Sequence, residues 1–253
     1  MHRFPSRLFS HAACVVATLP FQQVRAAIDF PEPSFFTNCV FVSVDIQEPG
    51  PRHHLTEGEM PKEWHAFGFT VEDVNAAIDY AYDVAYPNSR KVADGCRALG
   101  LPMVFVHWGC QFHDGMDLDP VIRSSFLAQH GPNYDVWGHH DSDPSLRPAA
   151  ILGVRNGEYV IARTGQNAFS PSNIGFVLRN LGAKNIVFVG GHTGACLGKT
   201  AAAAKHLGYR ILCVEDATFD ARQSGRLKCL NETGYDYVVT TAEFLKLVDS
   251  ARR

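Results

Sequence analysis

Cys196 has the most reactive setting in the chain. It closes the run Gly190-Gly191-His192-Thr193-Gly194-Ala195-Cys196, which leads from an apolar stretch into an Ala-rich segment. A cysteine in the first turn of a helix faces unpaired backbone N–H groups and the positive end of the helix dipole. Both favour a thiolate. The amides of Ala195 and Cys196 can then form an oxyanion hole. The plainer alternative is a small buried cysteine that packs the helix onto a sheet.

Two further residues suit a nucleophilic thiol. Asp45 follows the apolar run CVFVSV, and a carboxylate so near a core must be paired or useful. As a base it can take the thiol proton and pass it to a leaving group. Its other reading is a cap on the loop that follows. Arg163 ends another apolar stretch. Its guanidinium can hold Asp45 ionised and stabilise negative charge, but it cannot shuttle protons near neutral pH. An exposed loop arginine is the alternative. Trp108 and Phe169 flank the same region and can wall a pocket, or simply pack a core.

The elements that must position these groups alternate along the chain. Short apolar runs at 39–44, 103–108, 159–162, 186–189, 211–214 and 237–239 read as strands, the first nearly continuous as in strands buried on both faces. Helical spacing marks 71–85, with Thr70 as its cap, and 91–99, 174–181 and 196–207. Gly100, Gly182 and Gly208 each close a helix before a strand. Repeated βα units imply a three-layer α/β fold: a six-stranded, mainly parallel, Rossmann-like sheet with helices on both faces. Ligands in such sheets bind beyond the carboxyl ends of the strands. There the sequence places Asp45-Ile46-Gln47, His107-Trp108, Arg163-Thr164, the Cys196 run and Glu215-Asp216-Ala217. The Asp-, His-, Pro- and Gly-rich stretch 109–157 interrupts the rhythm and reads as an insertion over that rim.

The 253 residues and 46% hydrophobic content fit one such domain, over 29–253. A net charge of −3 carries no basic stripe for nucleic acid, and no apolar run is long enough to span a bilayer. The seven cysteines contain no C-x-x-C and are too sparse for a disulfide scaffold. Residues 1–28 carry arginines but no acid, with a short apolar stretch and small residues near Ala26-Ala27. They read as a signal peptide, a transit peptide or a flexible arm. A secreted or periplasmic location is the leading expectation, with an organellar or cytoplasmic one as alternatives.

Three motifs together give a resemblance. Asp45-Ile46-Gln47 after a buried strand looks like an Asp-x-Gln signature. Ala162-Arg163-Thr164-Gly165-Gln166-Asn167-Ala168-Phe169 looks like a Lys-x-x-x-Ser-Ala-Phe segment, and the Cys196 run followed by Leu197 looks like Gly-Val-x-Thr-x-x-Cys-Val. Thr200, Gly208-Tyr209 and Glu215-Asp216-Ala217 continue the pattern. From about Asn38 onward, apart from the long insertion, the chain resembles the isochorismatase-like cysteine hydrolases.

That resemblance implies a catalytic Cys-Asp-Lys triad, here Cys196, Asp45 and Arg163, with arginine standing where the family has lysine. It also implies a cis peptide before His192. The implied activity is hydrolysis of a small amide or related carbonyl compound through a Cys thioester. Alternatives are an isochorismate-type vinyl-ether hydrolase, or a non-catalytic binding module because of Arg163. Gln47, Trp108, Phe169 and His192 are the expected substrate contacts. The partner expected is a small-molecule substrate, with no nucleic acid or membrane. A homo-oligomer is in keeping with the family. Some members hold a metal through Asp and His, but His113-Asp114 and His139-His140-Asp141 read as solvated loop residues. No metal or cofactor is expected.

Overall fold

Uninterrupted apolar runs leave little choice but a sheet covered on both faces, and the chain builds one. In a computed structural model that describes residues 30–48, 50–131 and 143–253, the strands are β1 (Cys39–Val44), β2 (Met103–Trp108), β3 (Tyr159–Arg163), β4 (Asn185–Gly190), β5 (Arg210–Thr218) and β6 (Tyr237–Val239). They form one sheet in the order β3-β2-β1-β4-β5-β6, and every pairing is parallel. The helices are α1 (Lys62–Ala66), α2 (Val71–Tyr80), α3 (Tyr86–Ala98), α4 (Pro120–His130), α5 (Ile174–Asn180), α6 (Cys196–His206), α7 (Gln223–Glu232) and α8 (Thr241–Ala251).

The period-two alternation of side chains splits the core in two. Phe41, Phe105, Val187 and Leu212 face α3 and α8. Val40, Val42, Val104, Ile186 and Phe188 face α5 and α6. Phe41, Phe105 and Phe188 are fully buried. Each such side chain contributes roughly 1.5–3 kcal/mol of hydrophobic stabilisation. The three-layer expectation holds.

Two boundaries differ from expectation. The separate helices expected over 71–85 and 91–99 are instead one helical run, 71–98, with a π turn at Ala81–Ala85. The Tyr86 amide donates to the Ala81 carbonyl five residues back, and this wide turn lets Pro87 enter at the head of α3, where no amide is required. The other difference is β5, which continues past Val214 to Thr218 with a register shift against β4 between Phe188 and Gly190. Glu215-Asp216-Ala217 therefore lies inside a strand, not on the rim. Asp216 accepts from the Thr241 amide (2.7 Å) and hydroxyl (2.7 Å) and from Asn88 Nδ2 (3.1 Å), so it anchors α8 against α3.

The stretch after β2 carries more order than a plain loop. Asp119 caps α4 through the Val121 amide at 2.9 Å, with Pro120 in the first turn. Trp108, Cys110, Leu118, Phe126 and Leu146 pack together. The Asp119 amide donates to the Thr164 carbonyl (2.9 Å), tying the segment to the end of β3. The 1–28 leader and His139-His140-Asp141 lie outside the described residues. Among the described residues no helix is long and apolar enough to cross a membrane.

Candidate active site

In this strand order the chain reverses direction of growth between β1 and β4, the switch point where open α/β sheets bind ligands. Asp45 leaves the end of β1 and Cys196 follows β4, so the two flank that point. Asp45 has φ 53°, a left-handed conformation that Asp tolerates better than most residues. Its amide is held by the Val106 carbonyl at 2.9 Å.

Arg163 reaches Asp45 from β3, across β2. Its guanidinium lies over the Trp108 ring, 5.3 Å from the centroid. Nε donates to Asp45 Oδ1 at 3.2 Å, Nη2 donates to Oδ2, and Nη1 donates to the Gly165 carbonyl. Arg163 has 0% exposure and the Asp45 side chain 10%, so this bidentate pair is taken out of water. Burial opposes the Arg163 charge, but Asp45, and to a lesser degree Cys196, more than offset it. The exposed-loop reading of Arg163 is excluded.

The loop from Gly190 brings the thiol to this pair. Gly190 has φ 112°, and a Cβ there would stand 2.0 Å from the Val44 carbonyl oxygen. Only glycine lets the loop press against the end of β1. A Cβ at Gly198 would likewise lie 2.2 Å from the Thr193 carbonyl, so the head of α6 closes directly on the loop. The Gly191–His192 peptide is cis, as the resemblance implied. The Cys196 thiol then lies beside Asp45 and Arg163, close enough for both to act on its charge state.

The surroundings of the sulfur differ from expectation. A thiolate open to solvent at a helix mouth was expected, but Cys196 is 1% exposed. Burial pushes the thiol up to about 12, with Arg163 pulling down and Asp45 pushing further up. Desolvation outweighs the pull of the guanidinium, whose charge is already engaged by Asp45. That direction favours the neutral thiol over the thiolate.

The other expected residues divide. Gln47 is not available to a substrate. Its Nε2 donates to the carbonyls of Leu146 (2.6 Å) and Trp108 (3.2 Å), and its Oε1 accepts the Trp108 amide (3.3 Å). Every polar atom of that side chain braces β1 to β2 and the inserted segment. Phe169 packs into the α5 and α6 layer, with its ring 6.2 Å from Tyr209, so it does not flank the rim as expected. Trp108 sits against the charged pair. His192 lies on the nucleophile loop, edge-on to Phe219 with ring centroids 5.3 Å apart. Of the two expected oxyanion donors, the Ala195 amide already donates to the His192 carbonyl (3.0 Å). The Cys196 amide donates to no backbone carbonyl among the described residues.

Sequence reasoning missed Asp220. Its Oδ2 accepts from the Thr193 hydroxyl and from the Gly194 amide (2.6 Å), and its Oδ1 stands 4.0 Å from His192 Nδ1. Ending the fifth strand at Val214 had hidden it, because the true rim of β5 begins after Thr218. Among the described residues no group of three or more His, Cys, Asp or Glu side chains is placed to hold a metal ion.

Fold and site together define an α/β protein with a cysteine-centred cluster at the sheet switch point. A family model for the isochorismatase domain matches residues 68–243, and the chain belongs to that family. It is 31% identical over 200 residues to the ureidoacrylate amidohydrolase RutB of Azorhizobium caulinodans, covering 70% of this chain and 78% of that one. With the RutB of Agrobacterium fabrum the identity is 27% over 149 residues, 52% of this chain and 60% of that protein. The chain spans about half the length of several of the curated relatives it matches. A solved cysteine hydrolase from Pseudomonas syringae pv. phaseolicola 1448A shares the fold, with a TM-score of 0.63 at 16% identity over 88% of this chain and 96% of that one.

Proposed function

We propose that the protein hydrolyses the C–N bond of a small amide, with Cys196 as nucleophile and Asp45 as its proton acceptor. The observation that carries this is the meeting of thiol, carboxylate and guanidinium at the switch point. A standing thiolate at pH 7 would cost on the order of 7 kcal/mol with the thiol up at about 12. Proton transfer therefore accompanies attack: sulfur bonds to the carbonyl carbon as its proton passes to Asp45.

The tetrahedral oxyanion takes the Cys196 amide, with the Arg163 charge nearby. Asp45 then returns the proton to the departing nitrogen as the C–N bond breaks. A water attacks the thioester, gives its proton to Asp45, and the acid product leaves as the thiol is restored. Arg163 holds the carboxylate in place throughout. Trp108 and His192 are the expected substrate contacts.

Relatives named ureidoacrylate amidohydrolase support a carbamoyl-bearing compound as the first substrate class to try. The test is a screen of small ureido and primary amides with the unmodified protein and Cys196→Ala. Turnover that Cys196→Ala loses while its melting transition persists supports the assignment; turnover kept in that variant refutes it. Absence of turnover in the native chain, with activity appearing on Arg163→Lys, would favour a non-catalytic scaffold.

A further inference from the structure

We infer that Asp220 is a positioning residue that fixes the Cys196 loop in its reactive geometry. The inference rests on the amidase reading and deepens it. Asp220 stands just beyond β5, facing the loop from the next strand, and its side chain is 11% exposed. One oxygen, Oδ2, gathers both the Thr193 hydroxyl and the Gly194 amide, while Oδ1 accepts the Ala221 amide (2.6 Å). Thr193 is fastened once more, its amide donating to the Phe219 carbonyl at 3.1 Å, and its single hydroxyl proton is shared between Asp220 and the Arg226 carbonyl 3.1 Å away.

The loop therefore hangs between two anchors, Gly190 on the end of β1 and Thr193-Gly194 on Asp220. The three residues after the second anchor include Ala195, whose amide is spent on His192, and Cys196, whose amide is not. A buried charge-assisted acceptor of two donors is stiff. Removing it frees the segment that sets where the Cys196 sulfur and amide lie. Asparagine cannot substitute, since its NH2 would face either the Thr193 and Gly194 donors or the Ala221 amide.

The experiment compares Asp220→Asn, Thr193→Val, Thr193→Ser and the Asp220→Asn/Thr193→Val pair. One readout is the rate of iodoacetamide labelling at Cys196 at pH 9, by peptide mass spectrometry. The other is kcat and KM on any amide the native enzyme turns over. Release of the loop relieves the burial of the sulfur, so Asp220→Asn and Thr193→Val should each raise labelling about tenfold, with the double variant well short of the product because the two share the Asp220–Thr193 contact. A misplacement of about 1 Å should lower kcat about 100-fold with KM nearly constant. Thr193→Ser keeps the hydroxyl and should behave as native.

The inference is overturned if Thr193→Val labels and turns over as native while Asp220→Asn alone differs, which would mark a charge effect. It is equally overturned if all variants lose melting temperature but keep native labelling and kcat. Labelling needs no substrate, so it reads the loop even if the amidase assignment fails.

Discussion

Replacing Arg163 by methionine removes the guanidinium and keeps most of its length. Asp45 then loses the donors on both oxygens in a place where its side chain is 10% exposed. Breaking a buried ion pair by deleting one partner costs about 3–5 kcal/mol, since the remaining charge is left without compensation. A chain of this size shifts its Tm by roughly 2–4 °C per kcal/mol, so a fall of about 6–20 °C is expected by calorimetry at pH 7. The Gly165 carbonyl also loses its donor, which places the result toward the upper end. Deleting both charges in Arg163→Met/Asp45→Leu should recover much of the loss, because the orphaned carboxylate is gone. Arg163→Lys should sit between, keeping a charge but losing the planar fork and much of its contact with the Trp108 face. A melting temperature unchanged within 2 °C in Arg163→Met would refute the buried pair, and with it the idea that Arg163 holds the base.

Other outcomes follow from the same contacts. Iodoacetamide labelling of native Cys196 should be slow at pH 7 and climb about tenfold per pH unit without a plateau by pH 10, because burial keeps the thiol protonated until about 12; a plateau below pH 8 would mean a standing thiolate. Gly190→Ala drives a methyl group to 2.0 Å from the Val44 carbonyl and should cost about 3 kcal/mol or more in urea unfolding, or yield no folded protein. Gln47→Ala should lower stability by about 1–3 kcal/mol by orphaning the Trp108 and Leu146 groups it binds, with KM nearly unchanged; a large rise in KM at native stability would return it to the substrate site.

Much of the scaffold could be read from residue order because the strands are fully buried and so nearly continuous in apolar character. Each of the six expected strands exists, and the Thr70 cap is made, with its hydroxyl accepting from the Asp73 amide at 3.2 Å. Errors arose where tertiary context overrides local signals. Two expected helices, 71–85 and 91–99, are one helical run, because a π turn at Ala81–Ala85 carries the chain into α3. The head of α8 has a capping box, Thr240 with Glu243, and Asp119-Pro120 opens α4; both are local signals present in the residue order. For α7 the preceding Arg222 makes no cap; Asp73 of α2 accepts the Ser224 amide instead, at 2.8 Å, a long-range contact that local sequence does not signal.

In the site, residue types and spacing pointed to Asp45, Arg163 and Cys196, which the fold brings into contact. Their burial was not legible, since whether a helix mouth is wet or dry depends on what closes over it. That burial pushes the thiol up, against the expected thiolate. Gln47 and Phe169 were read from motif position alone, and side-chain direction assigned them to bracing and packing. Asp220 became visible only once β5 was seen to run four residues past its expected end.

The most direct measurement is intact-mass and peptide mass spectrometry of the enzyme quenched during turnover of a ureido or primary amide. The expected result is a mass increase equal to the acyl part of the substrate, carried as a thioester on the Cys196 peptide and absent in Cys196→Ala. Turnover with no adduct on Cys196, undiminished when that cysteine is alanine, would contradict covalent catalysis by this thiol.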